Sequence, residues 1–273
     1  VRAAVLGAPI AHSLSPVLHR AAYQALGLAG WSYEAIECDA ARLPAVLDGC
    51  GPEWAGLSLT MPLKRAVLPL LDQAEPLARD VGAANTVVFR DGRRHGHNTD
   101  VPGMIAALAG TGLTGLPGPA TVLILGGGAT ACSALAAARD LGAARVTAAV
   151  RDPARATGLL AAAGRLGVTV TLTSFEAPEV TAPDLLISTV PAGAAGVHAK
   201  RMARGHLVPS RLLDVVYHPW PTPLAGAART AGSAVASGFD LLLHQAAGQV
   251  TLMTGKPAPL PAMRTAGHSA LSG

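Results

Sequence analysis

The stretch best suited to chemistry is Gly126-Gly127-Gly128-Ala129-Thr130-Ala131. It follows the uncharged run Ala120-Thr121-Val122-Leu123-Ile124-Leu125 and opens an alanine-rich helix from Cys132 to Leu141. Strand, glycine turn and helix form the setting of a G-x-G-x-x-[GA] dinucleotide site. Gly126 allows the tight turn, Gly128 lets backbone N–H groups approach a pyrophosphate, and Ala131 lets helix and strand pack closely. The phosphates would sit at the positive end of the helix dipole. Three glycines also serve simply to turn a chain between two core elements, so the motif needs support from downstream. That support comes at the end of the next strand, Arg145 to Val150, where Arg151-Asp152-Pro153-Ala154-Arg155 follows. An NAD site wants an acid there for the ribose hydroxyls, whereas two guanidiniums four residues apart suit the 2′-phosphate of NADP. NADP is the expected cofactor. NAD stays open, because Asp152 on a different loop path would meet a ribose.

A second set of reactive residue types precedes the glycine turn. The loop Gly7 to Pro16 carries His12, Ser13 and Ser15 ahead of a helix that runs through Leu26. Ser15-Pro16 reads as an N-cap followed by proline at the first helical position, which gives Ser15 a structural reason to be there. Ser13 has no such duty, and two hydroxyls at i and i+2 can converge on a polyhydroxylated or carboxylated ligand. His12 is read as structural. Lys64, with Lys200 and Lys256 the only lysines, stands where a strand gives way to a helix. Asn85, Asn98, Thr99 and Asp100 crowd strand ends, where such residues also form turns.

The elements that must position these groups alternate strand and helix. Val1–Leu6, Trp31–Ile36 and Gly56–Thr60 read as strands, with a helix at Ala40–Leu47. Val87–Phe89 enters a hairpin turn at Asp91-Gly92. Beyond the glycine turn, strands are expected at 168–172, 184–188, 212–217 and 233–236, with helices around 155–164, 198–204 and 222–231. A last helix, Phe239–Thr254, carries Leu241, Leu242, Gln245 and Gln249 roughly on one side and is expected to return to the first domain. The tail after Pro257 is expected to be irregular. This pattern predicts an α/β protein of two domains: an N-terminal α/β sandwich (1–102 plus 237–273) and a doubly wound parallel-sheet Rossmann domain (103–236).

Composition narrows the function classes. Half of the 273 residues are hydrophobic and the net charge is +4, scattered with no basic stripe. Aromatic residues make up only 3%, too few for base stacking, so no nucleic-acid partner is expected. Cys38, Cys50 and Cys132 have no metal-ligand spacing and suggest reduced thiols in a cytoplasmic protein. The histidines lack ligand spacing too, and no metal is expected. The charge-free stretch Val101–Ala138 is interrupted by Pro102, Gly110, Gly112, Gly115, Pro117, Gly118 and Pro119, so it is not read as a membrane span.

Along nearly its whole length the chain resembles the shikimate dehydrogenases. The resemblance rests on Gly7-x-Pro9-Ile10-x-His12-Ser13-x-Ser15-Pro16, Thr60-x-Pro62-x-Lys64, Gly82-Ala83-x-Asn85-Thr86 and Gly96-x-Asn98-Thr99-Asp100. Downstream, Asp214-Val215-Val216-Tyr217-x-Pro219, Thr222-Pro223-Leu224, and Gly238 followed by Gln245 continue it. Ser58 departs from the family's common asparagine, Ala129 from a fourth glycine, and Ile187-Ser188-Thr189-Val190-Pro191 from an Asn-Ala-Thr-Ser form. The resemblance implies reversible NADP-dependent reduction of 3-dehydroshikimate to shikimate, in a monomer or homodimer whose only partners are small molecules. It implies Lys64 and Asp100 as the catalytic pair, with Ser13, Ser15, Ser58, Thr60, Asn85, Tyr217 and Gln245 for the substrate. Thr189, Val190 and Gly238 join residues 126–131, Arg151 and Arg155 on the cofactor side, Gly238 leaving room for the nicotinamide. A carboxylate beside Lys64 favours the charged ammonium, which suits an acid that protonates the alkoxide during reduction. Two alternatives stand: a quinate/shikimate dehydrogenase linked to NAD, and a regulatory protein that binds nucleotide or shikimate without turnover.

Overall fold

Ala3–Leu6 and Val122–Leu125 are almost wholly buried, and each run lies inside its own six-stranded sheet. Short apolar runs of this kind are what a parallel strand covered on both faces requires. The computed structural model describes residues 1–143 and 145–272, and every side chain among them except that of Arg155. It divides into two compact units, Val1–Asp100 with Leu242–Gly273, and Val101–Leu241.

The first unit begins with β1 (Arg2–Gly7), α1 (Ser15–Ala25), β2 (Ser32–Glu37), α2 (Leu43–Asp48), β3 (Trp54–Leu59) and the single turn α3 (Leu63–Ala66). It continues with β4 (Gln73–Ala74), α4 (Pro76–Val81), β5 (Thr86–Arg90) and β6 (Arg93–His97). The sheet order is β2-β1-β3-β5-β6-β4, with β1 parallel to both β2 and β3, and β5 antiparallel to both β3 and β6. Asp91 (φ 52°) and Gly92 (φ 69°) close the β5–β6 hairpin with two left-handed residues, as a turn that follows the strand twist demands. The core gathers Leu6, Leu57, Leu59, Leu63 and Val67. Leu63 is fully buried and so anchors the turn that carries Lys64.

The chain leaves this unit inside α5 (Asp100–Ala109) and returns inside α10 (Gly238–Thr254). A last helix, α11 (Leu260–Ser272), stands where an irregular tail was expected, and it packs on α1. Leu260, Met263, Gly267 and Leu271 recur at helical spacing, and Met263 and Gly267 are buried. Pro257 and Pro259 just ahead of it disguise the signal.

The second unit contains β7 (Val122–Leu125), α6 (Ala129–Asp140), β8 (Arg145–Val150), α7 (Thr157–Leu166), β9 (Thr169–Ser174) and β10 (Leu185–Ser188). It ends with α8 (Gly196–Ala203), β11 (Arg211–Asp214), α9 (Pro223–Thr230) and β12 (Ala234–Ala236). The order β12-β11-β10-β7-β8-β9, parallel throughout, is the doubly wound arrangement, with its switch point between β7 and β10. The strand expected to reach Tyr217 stops at Asp214. There the Asp214 carboxylate accepts the Val216 N–H (3.4 Å) and the Thr222 hydroxyl (2.6 Å), which draws the chain out of the ladder. Among the described residues no helix is long and apolar enough to cross a membrane.

Candidate functional site

In the first unit the sites expected from sequence converge on strand ends. Beyond β3, the Leu63 N–H donates to the Thr60 carbonyl (2.7 Å) and the Ala84 N–H to the Lys64 carbonyl (2.8 Å), which fixes the backbone of the lysine turn. Lys64 Nζ donates to Asp100 Oδ2 at 2.6 Å, with side-chain exposures of 14% and 7%. Asp100 is the first residue of α5, where the helix dipole favours a carboxylate.

Asn85, 1% exposed, fixes the other carboxylate oxygen. Its Nδ2 lies 3.0 Å from Asp100 Oδ1, 2.9 Å from Thr99 Oγ1 and 3.2 Å from Gln245 Oε1. Its Oδ1 accepts the Thr99 N–H (2.8 Å) and the Thr86 hydroxyl (2.9 Å). The charged pair therefore has a rigid back wall, and a buried charge needs one. The structure brings together Lys64, Asp100, Asn85 and Gln245 in one hydrogen-bonded group.

The opening loop runs beside Thr60, because the Ala8 N–H donates to the Met61 carbonyl (3.0 Å). Ser15 is not the cap expected from sequence: it is the first helical residue, and Ser13 Oγ accepts its N–H at 3.3 Å. Ser13 thus has a local structural duty too, although among the described residues no side chain caps the helix. Ser58 is 3% exposed, accepts the Tyr33 hydroxyl (2.7 Å) and donates to Gln249 Oε1 (2.8 Å). Tyr217 belongs to the second unit.

Sequence reasoning did not single out the layer behind Ser58. His19 and Tyr33 stack with centroids 3.9 Å apart, and His19 also meets the Tyr23 hydroxyl and Gln249 Oε1, both at 3.3 Å. Burial drives the His19 ring down to about 3, so it is neutral at physiological pH. Burial also pushes the Tyr33 and Tyr23 phenols above their usual range. The sequence offers only that Tyr33 is the aromatic residue of β2; the structure makes it the sole buried one.

In the second unit, Gly126 has φ +111°, and a Cβ there would lie 2.6 Å from Thr189 Oγ1, so the turn requires glycine. The Thr189 hydroxyl donates to the Leu125 carbonyl (2.7 Å), tying the ends of β10 and β7 together. Gly128 caps α6, a Cβ there would meet no described atom within 4 Å, and no described side chain caps the helix. Ala129, Thr130 and Ala131 thus begin a helix whose first N–H groups have no side-chain acceptor, an arrangement that fits a pyrophosphate. A Cβ added at Gly127 would lie 3.3 Å from Val150 Cγ1.

Asp152, the open question for NAD, has Oδ1 committed to the Ala154 N–H (3.0 Å). Arg151 is exposed, its guanidinium 6.0 Å from the Phe175 ring centre. Arg155's side chain lies outside the described residues. At Gly238 a Cβ would strike the Val215–Val216 backbone, so this glycine is demanded by the chain itself, whatever ligand lies near. A small pocket opens at the carboxyl ends of β10 and β11, lined in part by Val190, Asp214 and Thr222. Burial raises the Asp214 carboxyl, and Thr222 both donates to it and caps α9 through the Ala225 N–H. That motif is a clasp between strand and helix. Among the described residues no group of three or more His, Cys, Asp or Glu could hold a metal ion.

Comparisons with known proteins cover nearly the whole chain. Family profiles match the shikimate dehydrogenase substrate binding domain at residues 5–87 and the shikimate 5'-dehydrogenase C-terminal domain at residues 238–266. A shikimate dehydrogenase (NADP(+)) of Moorella thermoacetica is 36% identical over 270 residues, 95% of this chain and 90% of that protein. The crystal structure of Mycobacterium tuberculosis shikimate dehydrogenase shares 44% identity, with a TM-score of 0.86 over 98% of this chain and 99% of that one. The Thermus thermophilus enzyme, solved in complex with NADP(H) and shikimate, shares 34% identity, with a TM-score of 0.84 over 99% of this chain and 100% of that one.

Proposed function

The chain belongs to the shikimate dehydrogenase family, and from that premise we propose how its own residues carry out the family's reaction, the reversible NADP(H)-dependent reduction of 3-dehydroshikimate to shikimate. The observation that carries the reading is the 2.6 Å Lys64–Asp100 pair, braced from behind by Asn85. When bound, NADPH supplies the hydride. Lys64 gives its proton to the carbonyl oxygen as that oxygen gains charge, and the neutral amine takes a proton from the alcohol in the reverse direction. Asp100 holds the ammonium in place and offsets its charge.

Ser13, Ser15, Thr60 and Gln245 offer short polar groups to a ring acid with several hydroxyls, while Asn85 and Ser58 support them from within. The uncapped N-terminus of α6 at residues 126–131 holds the pyrophosphate, and Arg151 with Arg155 holds the 2′-phosphate. Thr189 and Val190 line the same carboxyl edge of the sheet. The test is to mix the protein with 3-dehydroshikimate and NADPH and to follow both cofactor absorbance and product. Stoichiometric NADPH consumption with shikimate formed is expected. Binding of either ligand without turnover would overturn the reading in favour of a sensor.

A further inference from the structure

Behind the substrate residues of the first unit the polar side chains form one continuous chain. The Ser15 side chain lies near the Tyr33 phenol and lowers its tendency to hold its proton. The Tyr33 hydroxyl donates to Ser58 Oγ at 2.7 Å, and the Ser58 hydroxyl donates to Gln249 Oε1 at 2.8 Å. Gln249 Nε2 then reaches the Asn85 carbonyl and Thr86 Oγ1, both at 3.1 Å. The direction is fixed by inventory. Gln249 Oε1 can only accept, so the single Ser58 proton goes there, and Tyr33 must be the donor to Ser58. Tyr33 is fully buried, while Ser15 is 5% exposed at the head of α1.

Resting on the function given above, we propose that Tyr33 is a positioning residue for substrate recognition. Its one hydroxyl fixes the Ser58 hydroxyl and, through it, locks Gln249 against the Asn85 backbone. Tyr33 and Ser58 together fill the space of one longer amide side chain. An asparagine at 58 would carry two further atoms about 1.2–1.3 Å beyond the present Oγ. With Tyr33 and Gln249 oxygens already at 2.7 and 2.8 Å, those atoms fit only if the Tyr33 hydroxyl is gone. His19, stacked on the Tyr33 ring, keeps a phenylalanine there in the same orientation.

The test uses the full chain and steady-state kinetics with shikimate and NADP, with thermal unfolding of each variant. Tyr33→Phe is expected to raise the shikimate KM about threefold to tenfold, the effect of losing one neutral hydrogen bond. Its kcat and NADP KM are expected to stay within about twofold, a split that general loosening of the fold would not give. Ser58→Asn is expected to be worse than Tyr33→Phe, and the Tyr33→Phe/Ser58→Asn double variant to recover most of that loss. If Ser58→Asn does not fold, Ser58→Ala takes its place, and Tyr33→Phe/Ser58→Ala is expected to lose no more than the worse single change.

An unchanged shikimate KM in Tyr33→Phe, an equal fall in kcat, or no recovery in the double variant would overturn the proposal, as would losses in the Ser58→Ala pair that multiply. Wild-type protein that turns over shikimate while Tyr33→Phe is indifferent overturns this proposal alone. Wild-type protein without turnover overturns the functional reading and this one with it.

Discussion

Removing Lys64 and the charge of Asp100 separately and together asks whether the two act as one group. Their contact is 2.6 Å long, with side-chain exposures of 14% and 7%, so water screens it weakly. Lys64→Ala is expected to lower kcat by about 10²–10⁴, the span of a positioned proton donor. Asp100→Asn removes the charge and keeps the shape, and Asn85 Nδ2 remains 3.0 Å from the position of Oδ1. A hydrogen bond to a charged group is worth about 1.5–3 kcal/mol, so this change is expected to lower kcat about 10- to 100-fold. In the double variant Asp100 no longer has a lysine to orient. Its kcat is then expected to lie near that of Lys64→Ala alone, short of the product of the single losses by about tenfold or more. The assay is NADPH absorbance at saturating substrates, beside unfolding curves that confirm each variant is folded. Losses that multiply, with both single variants folded, would mean that Lys64 and Asp100 work independently, and the proton-transfer pair would be refuted.

Arg151→Ala is expected to raise the KM for NADP about tenfold and leave that for NAD nearly unchanged, at the low end for a charge-assisted contact because Arg151 is exposed; equal damage to both cofactors would contradict the 2′-phosphate assignment. Ser13→Ala and Gln245→Ala are each expected to weaken shikimate binding about fivefold in calorimetric titration, with NADP binding unmoved because both residues lie in the first unit. Loss of NADP affinity in either would count against dividing the ligands between the units. His198, buried beside Arg201, has its ring driven from 6.5 to about 4 by burial and then by the arginine charge. The unfolded chain therefore takes up the proton first as pH falls. The His198 contribution is complete above about pH 6.5 and is lost between there and about pH 4, by up to about 1.4 kcal/mol per unit. Neither ring nitrogen has a hydrogen-bond partner among the described residues, so His198→Phe removes the proton site without orphaning a donor. Denaturant midpoints at pH 7 and pH 5 are expected to differ less in His198→Phe than in the wild type, and an equal difference would refute the assignment.

The second unit was largely legible in the sequence, because its signals are local. Val122–Leu125 is continuous and apolar, Gly126 sits at a turn that only glycine fits, and Arg151 follows the next strand directly. The pair proposed for proton transfer was legible through short motifs at Lys64 and Asp100. What brings them to 2.6 Å is not local: it depends on Asn85, Gln245 and Gln249, residues far apart in the chain and joined by side-chain hydrogen bonds. Tyr33 was missed for the same reason, since a lone aromatic residue in β2 reads as core and says nothing of its hydroxyl. Ser15 was read as the cap of α1, whereas it is the first helical residue and gives its N–H to Ser13 Oγ, because a Ser-x-Ser-Pro sequence leaves two hydroxyls within reach of the same helix start. Helix α11 was hidden by prolines and by a buried side made largely of glycine, methionine and leucine. Gly238 was given a ligand as its reason, while the backbone of Val215 and Val216 already demands it.

The most direct measurement compares kcat/KM of the wild-type protein for shikimate and for quinate, each with NADP and with NAD. Shikimate with NADP is expected to exceed shikimate with NAD by about tenfold or more, the share of Arg151 at the 2′-phosphate, and to exceed quinate with either cofactor. Equal or better use of NAD, or a preference for quinate, would contradict the account.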